Sequence, residues 1–240
     1  MEAILNALAA PSAFVADFKR LKALLPFLTA FALSALATVL IAPLTMDFAM
    51  KQSNTFAEAG TREYAMFYAF GIGTSVISLA IKWAFATFFL GTVLQFAQQQ
   101  RHIMKEEHTR QELPDVEYSG VLQLVAYSGV ILAFEGLIKA FAVIVKNNRN
   151  MLVTVQDLDV SIGLSLLTAK VSVGAFMYAF LGEINPVTLW GYGVLAYWVI
   201  SIYHVRRSVA FGAVGGLWLI CTILTASMQQ FTASMTGAAR

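Results

Sequence analysis

The chain has 240 residues, of which 58% are hydrophobic and 12% charged, against roughly a quarter charged in an ordinary soluble domain. Its apolar residues run in stretches of about 20, the length that carries a helix across ~30 Å of hydrocarbon, and this excludes a soluble core. Sixteen basic against fourteen acidic residues leave a formal charge of +2, too little for a nucleic-acid-binding field, and the single cysteine, Cys221, excludes an intrachain disulfide.

The N-terminus opens on Glu2 rather than a basic segment, and Pro11 interrupts its short apolar stretch, so a cleaved signal peptide is not expected. Ile4, Leu5, Leu8, Phe14, Val15 and Phe18 recur near helical spacing ahead of the basic cluster Lys19, Arg20, Lys22. Residues 1–22 therefore form either an in-plane amphipathic segment or a packed cytoplasmic lead-in. Ala23 to Thr45 carries no charge and reads as the first span, with Pro26 in its opening turn. After a polar connection from Asp47 to Glu63, the run Tyr64 to Phe96 contains one charge, Lys82. As a helix it reaches ~50 Å, which implies tilt or projection into water.

The strongly polar stretch Gln98 to Glu117 assigns residues 97–118 to an aqueous loop, one able to extend the second helix until Pro114 stops it. A third span runs from Val121 to Val145 and carries Glu135 and Lys139. Val160 to Leu181 is apolar but holds Lys170, and it crosses, re-enters or lies flat. Val187 to Tyr203 has only 17 residues but includes Trp190, Tyr192, Tyr197, Trp198 and Tyr203, the residues that favour a membrane interface. Ser208 to Met228, after His204, Arg206 and Arg207, is the last span.

The positive-inside rule arbitrates between five and six crossings. With a cytoplasmic N-terminus and five crossings, eight basic residues face the cytoplasm and five the other side; with six crossings the division is seven to six. Five is favoured. Val160 to Leu181 is then an outer interfacial or re-entrant helix, and Lys170 need not enter lipid.

The opening LNALAAPSAFVADFKRLKALLPFLTAFALSAL places Pro11, Ser12 and Phe14 before a basic stretch and Pro26 at the mouth of the first span. YSGVLQLVAYSGVILAFEGLIKAF supplies a third span, and GEINPVTLWGYGVLAYWVISIYHVRRSVAFGAVGGLWLI supplies an acidic-rimmed turn, Thr-Leu-Trp, an aromatic span, a polar hinge and a glycine-rich span. In these landmarks, over most of its length, the chain resembles bacterial Yip1-family membrane proteins, with Asn185 and Pro186 where members often carry Asp-Phe. The resemblance implies a five-helix integral protein of the bacterial inner membrane with its N-terminus in the cytoplasm. The family's eukaryotic relatives are linked to small GTPases and vesicle traffic, but no motif here transfers as a GTPase contact.

Charges within spans cost roughly 2.5–3.5 kcal/mol on insertion scales, so Lys82, Glu135 and Lys139 need partners. Glu135 and Lys139 stand four apart on one helix and can pair. Helix rise puts Lys82 within ~6 Å of Glu135 in depth, a gap that a lysine stem bridges. Three readings follow: a buried cluster that fixes helix pairing, a polar cavity or ion and proton path, or snorkelling lysines. Two cations to one carboxylate would also admit an anionic ligand or lipid headgroup.

His102 and His108 are six apart, on different helical faces, and fit no zinc pattern, so no metal site is expected. Asp157, Asp159 and Glu183 form an outer polar rim, with a weak cation site as the alternative. Gly212 and Gly216 form a GxxxG pair for helix packing, either within the chain or at a dimer seam. The aromatics from Trp190 to Tyr203 read as interfacial anchors rather than a ligand cage. Catalytic motifs are missing, no cofactor is called for, and an enzyme is not expected.

The sequence thus predicts one all-α polytopic domain over residues 1–240, with five transmembrane helices plus one interfacial or re-entrant helix. Its expected function is that of a membrane scaffold or accessory protein. The faces formed by residues 1–22 and 97–118 would meet lipids, another membrane protein or a second copy. The alternative is a small transporter or channel using Lys82, Glu135 and Lys139.

Overall fold

The computed structural model describes residues 10–18, 23–52, 61–105, 115–148, 160–168 and 170–235, and these are helical with short connections and no strand among them. The elements in chain order are α1 (Pro11–Asp17), α2 (Leu24–Gln52), α3 (Thr61–Lys105), α4 (Tyr118–Asn148), a 3-10 turn (Leu164–Leu167), α5 (Lys170–Gly182), α6 (Pro186–Tyr203) and α7 (Arg207–Met235). Four helices, α2, α3, α4 and α7, contain apolar stretches long enough to cross a membrane. They coincide with four of the runs read from the sequence.

Helix boundaries follow local chemistry. Pro26 lies in the first turn of α2, where its missing N–H costs nothing. Inside α2 the hydroxyls of Thr29, Thr38 and Thr45 donate to carbonyls four residues back, which satisfies them without a partner helix. The 45 residues of α3 extend to ~68 Å at 1.5 Å each, far beyond the hydrocarbon thickness. Residues 97–105 belong to this helix, the extension of the second span into the polar stretch that the sequence allowed. No glycine or proline interrupts the polar stretch before Lys105.

The helix α4 is central and packs against α2, α3 and α6. Its close approaches use glycines: a Cβ at Gly129 would stand 2.6 Å from the Trp83 indole, and one at Gly191 2.9 Å from Leu132. Thr188 meets Glu135, whereas a Cβ at Gly120, fifteen positions earlier in α4, would meet Tyr203, so α4 and α6 run antiparallel.

The described part of the lead-in, residues 10–18, packs on the bundle, and Ile4, Leu5 and Leu8 lie outside the described residues. Phe14 of α1 is 1% exposed, stacked on Trp198 at 4.2 Å and edge-on to Tyr127 at 4.8 Å, while the Trp198 indole N–H donates to the Pro11 carbonyl at 3.1 Å. Lys19, Arg20 and Lys22 lie outside the described residues.

The stretch Val160 to Leu181 is not one helix. It divides into an extended piece, the 3-10 turn and the 13-residue α5, which is broken at Gly174 (φ 77°). A residue in that left-handed region strains any side chain but glycine's. The extended piece is pinned to the end of α5: a Cβ at Gly163 would sit 2.4 Å from the Gly182 carbonyl oxygen, and the Leu164 N–H donates to the Ile184 carbonyl. At ~20 Å, α5 is too short to span the hydrocarbon. It packs against α7.

Candidate functional site

The start of α6 is built by Asn185 and Pro186. Proline suits the first helical position, and Asn185 caps the helix by accepting from the Thr188 N–H at 2.8 Å. The same side chain donates from Nδ2 to the Thr188 hydroxyl at 2.8 Å and to the Gly182 carbonyl at 3.0 Å. With its hydroxyl thus supplied with a donor, Thr188 gives its own proton to Glu135 Oε2 at 2.7 Å. The other carboxylate oxygen, Oε1, pairs with Lys139 Nζ at 2.5 Å. Both oxygens of a carboxylate only 8% exposed are therefore satisfied, the condition under which a buried charge is tolerable.

This relay forms one wall of a cavity of about 320 Å³. Every long helix contributes polar lining: Ser34 from α2, Lys82 from α3, Glu135 and Lys139 from α4, Tyr192 from α6, and Cys221, Thr222 and Thr225 from α7, with Glu183 entering from the α5–α6 turn. Trp83, Leu195 and Leu217 are among its apolar walls. Thr222 is 2% exposed, and its hydroxyl has no hydrogen-bond partner. Ser34 also borders two adjoining clefts of about 390 and 400 Å³, the first reaching Lys139 and the second Lys82, Thr74 and Ser78.

The structure brings Glu135 and Lys139 into a direct ion pair. Lys82 lines the same cavity but is exposed on α3, and among the described residues Glu135 pairs with Lys139 and not with Lys82. Glu183, read as part of an outer polar rim, lines the cavity, at a turn against which the residues around Gly163 pack. Asn-Pro is a helix-start signal and could have located this turn from sequence. Leu217, Cys221, Thr222 and Thr225 likewise follow helical spacing on one face of α7.

Gly212 has open space where a Cβ would project, and Gly216 meets only an ordinary contact with Phe89. The close-packed glycines are elsewhere, at Gly129 and Gly191. The aromatics of α6 divide: Trp190 and Tyr197 are exposed, while Trp198 and Tyr203 are buried and belong to the core. The side chains of His102 and His108, and residues Asp157 and Asp159, lie outside the described residues.

Comparison with protein-family models, curated proteins and solved structures yields no match for this chain.

Proposed function

We propose that the protein is a five-span membrane protein of the Yip1 type that works through its bundle cavity, as a small transporter or channel for a polar solute. The observation that carries this reading is the cavity itself, with Lys82, Glu135, Lys139 and Glu183 on its wall. Ionised groups are rare inside membrane bundles and mark solute and ion paths by default. A volume of about 320 Å³ falls within the range of small-molecule sites. Five crossings are supported by the antiparallel α4 and α6 and by the 18 residues of α6, ~27 Å of helix. The basic-residue count supports a cytoplasmic N-terminus, and the resemblance supports the bacterial inner membrane. No bond-breaking chemistry is assigned to these residues.

A second reading, scaffold or accessory protein, draws support from the fully bonded Glu135 and from the length of α3 beyond any bilayer. In that reading the charges lock helices together, and the projecting α3 meets lipids, another membrane protein or a second copy.

The native thiol separates the two. Cys221 is the chain's single cysteine and lines the cavity. In reconstituted vesicles, small charged methanethiosulfonates should modify it. If only a lipid-soluble maleimide reacts, the cavity is closed to water and the transporter reading falls.

A further inference from the structure

Four ionisable side chains line the cavity, and they divide unequally. Glu135 and Lys139 neutralise each other across 2.5 Å, with Thr188 completing the carboxylate. Lys82 and Glu183 line the same space, and neither side chain has an ion pair or hydrogen bond with any described residue. Lys82 and Lys139 nevertheless lie close enough to Glu183 to act on it electrostatically. The cavity thus presents one lysine and one carboxyl group that make no ion pair with any described residue.

A low-dielectric enclosure penalises net charge. An anion bound to Lys82 would leave Glu183 uncompensated and add repulsion; a cation bound to Glu183 would do the reverse. A molecule carrying both charges answers both groups and adds none to the enclosure. The unpartnered hydroxyl of Thr222, 2% exposed and on the same wall, supplies a further polar contact. The cleft bordered by Ser34, Thr74, Ser78 and Lys82 continues the polar surface between α2 and α3, giving room for a substituent beyond the charged ends.

We infer that the cavity binds a zwitterion carrying an ammonium and a phosphate or carboxylate, with Lys82 holding the anionic end and Glu183 the ammonium. The inference rests on the cavity reading above. The same chemistry is offered by a soluble amino-phosphate and by an aminophospholipid headgroup, the latter entering along the α2–α3 cleft.

The test uses the full chain in nanodiscs of phosphatidylglycerol alone, reading the rate at which a charged methanethiosulfonate modifies Cys221. Glycerophosphoethanolamine, a phosphodiester with one negative and one positive charge, should slow modification about ten-fold at roughly ten times its dissociation constant, because only empty cavities react. Inorganic phosphate and ethanolamine, each one half of the zwitterion, should protect far less. If the ligand is a lipid, discs containing phosphatidylethanolamine protect and the soluble compound does not.

Lys82→Gln and Glu183→Gln should each abolish protection, read as the ratio of protected to unprotected rates within the same variant because both side chains act electrostatically on Cys221, and Lys82→Arg should retain it. The wild-type probe series decides the matter even if a glutamine variant fails to fold. Labelling that neither zwitterionic source slows, or that phosphate alone slows equally well, overturns the inference and leaves the cavity reading standing. No labelling by charged reagents in any disc overturns both.

Discussion

The two halves of α4 are built on opposite principles. From Leu124 to Ile131 every residue is buried, whichever way it faces, on a helix that packs against α2, α3 and α6 and whose Tyr127 meets Phe14 of α1. From Leu132 to Lys139 Glu135 alone is buried, and the helix opens onto the cavity. The first half is specified by shape, with Trp83 against Gly129 and Phe14 against Trp198 and Tyr127. The second is specified by a hydrogen-bond relay that leaves space beside it. Apolar packing leaves few voids, whereas a satisfied polar wall can border one; the cavity lies mainly against the polar half, though Val125, Ser128 and Gly129 also line it.

The largest expected effect comes from breaking the packed half. Phe14→Ala removes a fully buried ring and should cost about 3–5 kcal/mol, the usual range for such truncations. The loss should appear as a lowered unfolding midpoint in mild detergent and as faster proteolysis near α1. Access of charged reagents to Cys221 should stay unchanged, since α1 packs on α6 and lines no part of the cavity. Equal loss of both properties would mean that the halves are not separate.

A smaller effect is expected in the polar half. Glu135→Leu strands the Lys139 ammonium and the Thr188 hydroxyl. Breaking a fully buried pair costs about 3–5 kcal/mol, but the Lys139 side chain is 32% exposed, so water offsets part of the loss and about 2 kcal/mol is expected. Glu135→Gln keeps an acceptor for Thr188 and should lose about 1 kcal/mol. Adding Lys139→Met to Glu135→Leu should recover part of the loss. A double-mutant cycle on unfolding midpoints measures this coupling, and strict additivity would show that the pair contributes nothing.

The spans of α2, α3, α4 and α7 were legible because their signal is length and charge depletion, which survive any packing arrangement. The Glu135–Lys139 pair was legible because it is local, one helical turn on one helix. What escaped depends on contacts between distant segments. Glu183 lines the cavity from a turn on whose edge the residues around Gly163 dock, and sequence periodicity carries no trace of that contact. Gly212 and Gly216 show the converse: their spacing suits close helix approach, yet no neighbour closes on Gly212. Phe14 fitted either lead-in, because an amphipathic pattern does not say whether its apolar face meets lipid or Trp198.

The smallest effect should come from Asn185, where it separates local from relayed stabilisation. As a helix cap alone, Asn185→Ala should cost about 1 kcal/mol. The side chain also donates to the Thr188 hydroxyl, which in turn donates to Glu135, so its loss frees Thr188 to rotate away from the carboxylate. Asn185→Asp restores the cap acceptor but removes the Nδ2 donor, and it brings a carboxylate beside the Thr188 hydroxyl. The two variants therefore divide the roles: if capping is all that matters, Asn185→Asp matches the wild-type unfolding midpoint. If the relay matters, it falls short, and it does so by less in a Glu135→Gln background, where the charge to be steadied is gone.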